Sequence, residues 1–145
     1  MAEYRWLIYA LLSAVAAAFV GIFGKLGMSK VDSSFATAVR SVVMTAFLLG
    51  VVSVLGLWGK TRDLQLRPML WIVLSGGAGA VSWLFYFKAI ELGNVARVAP
   101  IDKLSMPLAV ILAVLLLHEK YAWFNWVGVA LIVCGAFLAS MSAGK

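Results

Sequence analysis

Ala96–His118 reads ARVAPIDKLSMPLAVILAVLLLH, and the folding of this stretch decides the rest of the chain. Between Lys103 and His118 lie only Leu104–Leu117, about 21 Å of α-helix at 1.5 Å per residue. A bilayer core is roughly 30 Å thick, so that run alone is too short to cross it. A spanning helix must begin further back and carry Asp102 and Lys103 into the membrane. On either side of this stretch, four other runs meet the length requirement nearly free of charge: Trp6–Gly24, Ser41–Gly59, Met69–Phe87 and Tyr121–Gly144. The connectors between them are too short to fold into anything else. The expected fold is all-α, a polytopic membrane bundle of five transmembrane helices.

Composition points the same way. The 145 residues are 64% hydrophobic and 12% charged, where a soluble domain has about half and about a quarter. That length allows a single transmembrane domain and no soluble appendage. The net charge of +6 would suggest nucleic acid in a soluble protein. Here the basic residues sit at helix ends, where they anchor to anionic headgroups, and no nucleic-acid partner is expected. The partner they imply is the lipid bilayer. The lone cysteine, Cys134, lies inside the last apolar run and reads as a small packing residue. No Cys/His cluster has metal-ligand spacing, so neither a metal nor a cofactor is expected. The first apolar run is longer than a signal-peptide core and is read as a retained first helix.

The expected helices are Tyr4–Gly24, Ser33–Leu57, Pro68–Glu91, Ala96–Leu117 and Tyr121–Ser142. Ser33 and Ser34 are suitable caps for the second helix. Pro68 suits the first turn of the third. Trp58–Arg67 is the longest polar connector, and His118–Lys120 a tight turn. Tyr4, Trp6, Trp58, Trp71, Tyr121, Trp123 and Trp126 crowd helix ends as an aromatic belt does. Small residues recur at helical spacing in the first helix (Ala10, Ala14, Ala17, Gly21, Gly24) and the fifth (Asn125, Gly128, Gly135, Ala139), as membrane packing favours.

Intramembrane charge is expensive and usually functional. An unpaired charge near the bilayer centre costs about 2.5–3.5 kcal/mol on insertion scales, so Asp102 needs a partner. Arg40, two turns inside the second helix and at similar depth, is the expected one. Asp102 shares a helical face with Ser105, Met106, Ala109 and Ala113, which should point into the bundle. Lys103 lies about 100° round the helix, where its long stem can snorkel. Pro100 and Pro107 each free a backbone carbonyl, and transporter sites favour helices broken in this way. On the third helix Gly76, Gly79, Trp83 and Tyr86 share a face, and the two aromatics could wall a cavity. The candidate substrate or gating residues are therefore Arg40, Trp83, Tyr86, Asp102, Lys103 and Ser105. A structural ion pair tying two helices together is the competing reading of the charges.

The run Tyr86-Phe87-Lys88-Ala89-Ile90-Glu91-Leu92-Gly93, the following Ala96-Arg97-Val98-Ala99-Pro100-Ile101-Asp102-Lys103-Leu104-Ser105, and Glu119-Lys120 together resemble the EamA-type domain of the drug/metabolite transporter superfamily. The likeness covers essentially the whole chain and is strongest to the short, single-domain members. Arg40 matches a basic residue common in such domains. His118 departs from the pattern, standing where a glycine precedes the glutamate. Larger members join two such domains, so the resemblance implies that this chain works as a homodimer. It implies a secondary transporter of a small metabolite or amphipathic compound, working outward by alternating access in the cytoplasmic (inner) membrane of a prokaryote. The alternatives are a non-transporting accessory subunit or scaffold and, behind it, a channel. An enzyme is not expected, since no nucleophile–base pair or phosphate loop is present.

Lys and Arg in short loops set membrane orientation. One face carries Arg5, Lys60, Arg62, Arg67 and Lys120; the other carries Lys25, Lys30, Arg40, Lys88, Arg97, Lys103 and Lys145. With Arg40 and Lys103 inside the membrane the two faces balance. Balanced charge lets the chain insert both ways round and form an antiparallel dimer; the alternative is a weak bias that so few charges do not reveal. A tag at each terminus, on separate molecules, should then be found on both membrane faces; one fixed orientation rules the antiparallel homodimer out.

Overall fold

A computed structural model of the chain describes residues 5–63 and 65–141, with the side chains of 61–63 left aside. The expected features at Tyr4, Ser142 and Lys145, and at the side chain of Arg62, lie outside this description. Among the described residues there is no strand. The helices are α1 (Arg5–Gly27), α2 (Ser33–Val54), α3 (Leu66–Leu92), α4 (Val95–Asp102), α5 (Ser105–Leu116) and α6 (Trp123–Ser140), with a 3-10 helix at Leu57–Asp63. α4 and α5 together make one span, Val95–Leu116, so five segments are long and apolar enough to cross a bilayer. The large apolar side chains point outward along these segments: Phe47 is 71% exposed and Trp71 is 72%. Lipid is the solvent that makes such a surface stable, because hydrocarbon tails are as apolar as the side chains themselves.

The fourth span is broken rather than continuous, a correction to the single helix expected over Ala96–Leu117. The Lys103 carbonyl would normally accept from residue 107, but Pro107 has no N–H and its ring crowds that carbonyl. It accepts instead from the Met106 N–H at 3.0 Å, and the Leu104 N–H turns to the Ile101 carbonyl at 3.0 Å. Both are tighter, 3-10-like bonds. α5 restarts at Ser105, so Pro107 falls in its first turn, where a missing N–H costs nothing. Pro100 remains inside α4.

Other helix ends also differ from expectation for local reasons. Asp32, not Ser33 or Ser34, caps α2: its carboxylate accepts from the Ser34 N–H at 2.8 Å and the Phe35 N–H at 3.2 Å. An anion there also complements the helix dipole. α2 stops at Val54 rather than Leu57, because Gly56 adopts the left-handed conformation (φ 65°) that ends helices. Part of the expected Trp58–Arg67 loop is the 3-10 helix, where the Trp58 indole N–H donates to the Ser53 hydroxyl at 3.1 Å. α6 starts at Trp123, not Tyr121, after an extended Ala122. His118 takes up φ 54°, the backbone region for which glycine is suited, and the Glu119 N–H reaches back to the Ala113 carbonyl at 3.4 Å.

The chain divides into two compact units, residues 5–22 with 92–141, and residues 23–91. In the first, α4 and α5 pack on α6, burying Pro107, Val129 and Ala136. The Arg97 Nε–H donates to the Ser140 carbonyl at 3.3 Å across that contact. In the second, the end of α1 meets α3. Phe87 is 2% exposed and Ile90 fully buried. The Lys25 ammonium donates to the Ile90 carbonyl at 2.6 Å. The Phe87 ring lies so close to Gly24 that a Cβ there would overlap it. Gly24 from the expected small-residue stripe thus serves close packing. Gly76, Gly79, Gly128 and Gly135 do not do so here, since a Cβ at any of them would meet nothing within 4 Å.

Two outcomes follow. Gly24→Ala forces the buried Phe87 ring aside and should destabilise the chain by about 1–3 kcal/mol, the usual cost of overpacking. Combining it with Phe87→Leu should recover part of that loss, seen as non-additivity in detergent melting curves. The hydrogen bonds from the Phe35 N–H first, and then the Ser34 N–H, hold the Asp32 carboxyl below the usual aspartate range. A carboxyl lowered on folding stabilises the fold above its unfolded value and loses that contribution as pH falls through its folded value. Melting temperature should therefore drop from about pH 4 downward, and Asp32→Asn should flatten that slope while keeping most of the cap.

Candidate functional site

The second unit gathers three of the expected residues. Arg40 projects from α2 about two turns past its start, and Trp83 and Tyr86 project from α3. The spacing Trp83, Tyr86, Phe87 is i, i+3, i+4, which puts three aromatic rings on one helical stripe. They pack as a cluster. Trp83 and Phe87 are stacked at 5.6 Å between ring centroids and 24° between planes. Tyr86 meets Trp83 edge-on at 5.7 Å and Phe87 at 5.5 Å. The Arg40 guanidinium lies over this cluster, its carbon 3.7 Å from the Trp83 ring centroid and 5.1 Å from that of Phe87. A cation over the negative face of an indole gains about 0.5–2 kcal/mol, more where water is excluded. Phe87 completes the platform. Sequence reading passed it over as a site residue, although its i+4 offset from Trp83 marks it.

The flanking hydroxyls of α2 donate to their own helix. Thr37 donates to the Ser33 carbonyl at 2.7 Å, Ser41 to the Thr37 carbonyl at 2.9 Å and Thr45 to the Ser41 carbonyl at 2.9 Å. Hydroxyls turned back on their own helix satisfy themselves locally, which is how such residues are carried in lipid. Towards the end of α3, Lys88 pairs with Glu91 at 3.0 Å, one turn apart. With the Asp32 cap, the acids described in residues 23–91 are thus already engaged.

In the other unit, Asp102 ends α4 and Lys103 occupies the turn before α5. Their side chains pair, Lys103 Nζ to Asp102 Oδ2 at 3.4 Å, with Asp102 32% and Lys103 62% exposed. This differs from the expectation that the two would face apart on a regular helix. The helix ends between them, and the long lysine stem folds back to its neighbour. Ser105 opens α5 on the far side of the same break. The pair expected between Asp102 and Arg40 is not what either side chain makes within its own unit: Asp102 takes Lys103, and Arg40 takes aromatic rings. Residues 23–91 thus hold a cation on an aromatic platform, and the other unit holds an ion pair at a helix break. Among the described residues no group of His, Cys, Asp and Glu could hold a metal ion.

Comparison with known proteins adds identity to this geometry. Residues 4–141 match the model of the EamA-like transporter family. The chain is 44% identical over 136 residues to a Sinorhizobium protein described as an uncharacterized transporter in the cobO 3' region, an alignment covering 94% of this chain and 96% of that protein. No solved structure matches. Five helices long and apolar enough to cross a membrane and a family match across nearly the full length lead to one conclusion: the chain is an integral, multi-pass membrane protein and belongs to the EamA-like transporter family.

Proposed function

We propose that the chain is a secondary transporter that moves a small metabolite or amphipathic compound outward across a prokaryotic inner membrane by alternating access. Its single five-helix domain acts in an antiparallel homodimer. The observation that carries this reading is the broken fourth span, with an acid and a base at the break. Interrupted helices let a transporter line a cavity with backbone groups and hinge about it. In this reading Asp102 and Lys103 are gating charges, Ser105 lines the path at the break that Pro107 makes below Pro100, Arg40 anchors the substrate, and Trp83 and Tyr86 wall its cavity. Inverted repeats are the usual architecture of such machines, and two copies of one half inserted oppositely supply them. The glycines that meet nothing within one chain, Gly76, Gly79, Gly128 and Gly135, are suited to close helix contact with a second copy.

The test is flux into proteoliposomes, with a panel of radiolabelled small metabolites and the purified full-length chain. Asp102→Asn should lower flux by roughly tenfold or more while the dimer survives, judged by crosslinking. Unchanged flux with weakened assembly would show the charge pair to be structural.

A further inference from the structure

Stacking uses the π face of a guanidinium and leaves its edge. All five N–H donors of arginine lie in one plane, in a fork that matches a carboxylate or phosphate. Arg40 spends its face on Trp83 and Phe87. Within residues 23–91 no described carboxylate or carbonyl takes its edge, since Asp32 is held by backbone N–H groups and Glu91 by Lys88. Thr37 and Ser41 donate to their own helix. A half-buried cation inside a span, whose own unit puts no carboxylate or carbonyl on its donors, is costly unless an anion completes it. The rings hold the fork at a fixed tilt, so little side-chain freedom remains to be lost when an anion arrives.

We propose that Arg40 on its Trp83–Phe87 platform is an oxyanion site, binding the carboxylate or phosphate of an organic anion through two parallel N–H···O bonds, with Tyr86 against the ligand's apolar part. This rests on the transport reading for its purpose and adds the substrate class, an amphipathic anion. A lipid headgroup phosphate presents the same chemistry, so the test separates the two sources.

The probe is 4-nitrobenzoate, a quencher of indole fluorescence, with uncharged 4-nitrobenzyl alcohol as its control. The protein is the full chain in phosphatidylcholine vesicles. Saturable quenching by the benzoate but not the alcohol is expected, with the signal change lost in Trp83→Phe. Arg40→Lys keeps the charge and stem but not the fork, and should weaken binding at least about tenfold. Arg40→Gln should abolish it, with circular dichroism confirming that both variants remain helical. If phosphatidylglycerol in the vesicles competes with the benzoate, or binds in an Arg40-dependent way where the benzoate does not, the oxyanion site stands and its occupant is a lipid headgroup. Equal quenching by benzoate and alcohol, or undiminished binding in Arg40→Lys and Arg40→Gln, overturns the proposal. Binding and flux fail separately. A chain that binds the anion without moving it sinks the transport reading alone, and one that moves only cations sinks the anion site alone.

Discussion

A backbone N–H or C=O inside hydrocarbon has no water to bond to, and each one left unpaired costs several kcal/mol. That constraint governs this chain. It demands helices across every span, and it makes the points where a helix cannot be regular the places of interest. Pro107 creates such a point by withdrawing one N–H. The chain answers with bonds to residues three positions away, a two-residue turn and a fresh helix start. Asp102 and Lys103 sit at that discontinuity, where the backbone departs furthest from a plain spanning helix.

The same constraint extends to side chains. The polar groups within the spans are settled mainly by what lies nearby: hydroxyls of α2 on carbonyls one turn back, Lys88 on Glu91, and Lys103 on Asp102. The Lys25 ammonium instead reaches from α1 to the Ile90 carbonyl of α3, pinning two helix ends in one unit beside the close contact of Gly24 with Phe87. Within its own unit Arg40 follows a third route, lying on ring quadrupoles. Aromatic rings can support a cation without neutralising it, and that property suits a binding group better than an opposite charge would. An arginine locked to a carboxylate has little left to offer a ligand.

Five spans, the membrane setting and the family were legible in the chain because they depend on run length and local motif. The all-α class follows from apolar runs too long for strands and from the backbone's need for internal bonds in lipid. The break near Pro107 was legible in kind, since a proline always withdraws a donor. Which helix pieces result depends on which neighbouring carbonyl takes the released bonds, and this emerges only in three dimensions. Asp32 caps α2 although Ser33 and Ser34 beside it offer the same capping chemistry. Three adjacent residues could all serve, and backbone direction at the turn selects among them.

Periodicity placed Trp83 and Tyr86 on one face of α3, and charge placed Arg40 inside α2, because both depend on position along a helix. Their meeting depends on how α2 and α3 pack, which no pattern within one helix encodes. Run length and position along the chain are enough to mark Arg40 and Asp102 as costly charges in need of company. The contacts each makes inside its own unit come from the packing in three dimensions: rings for Arg40 and the adjacent lysine for Asp102, because a helix that stops between neighbours lets them face each other and a stacked aromatic stripe gives a cation somewhere to lie.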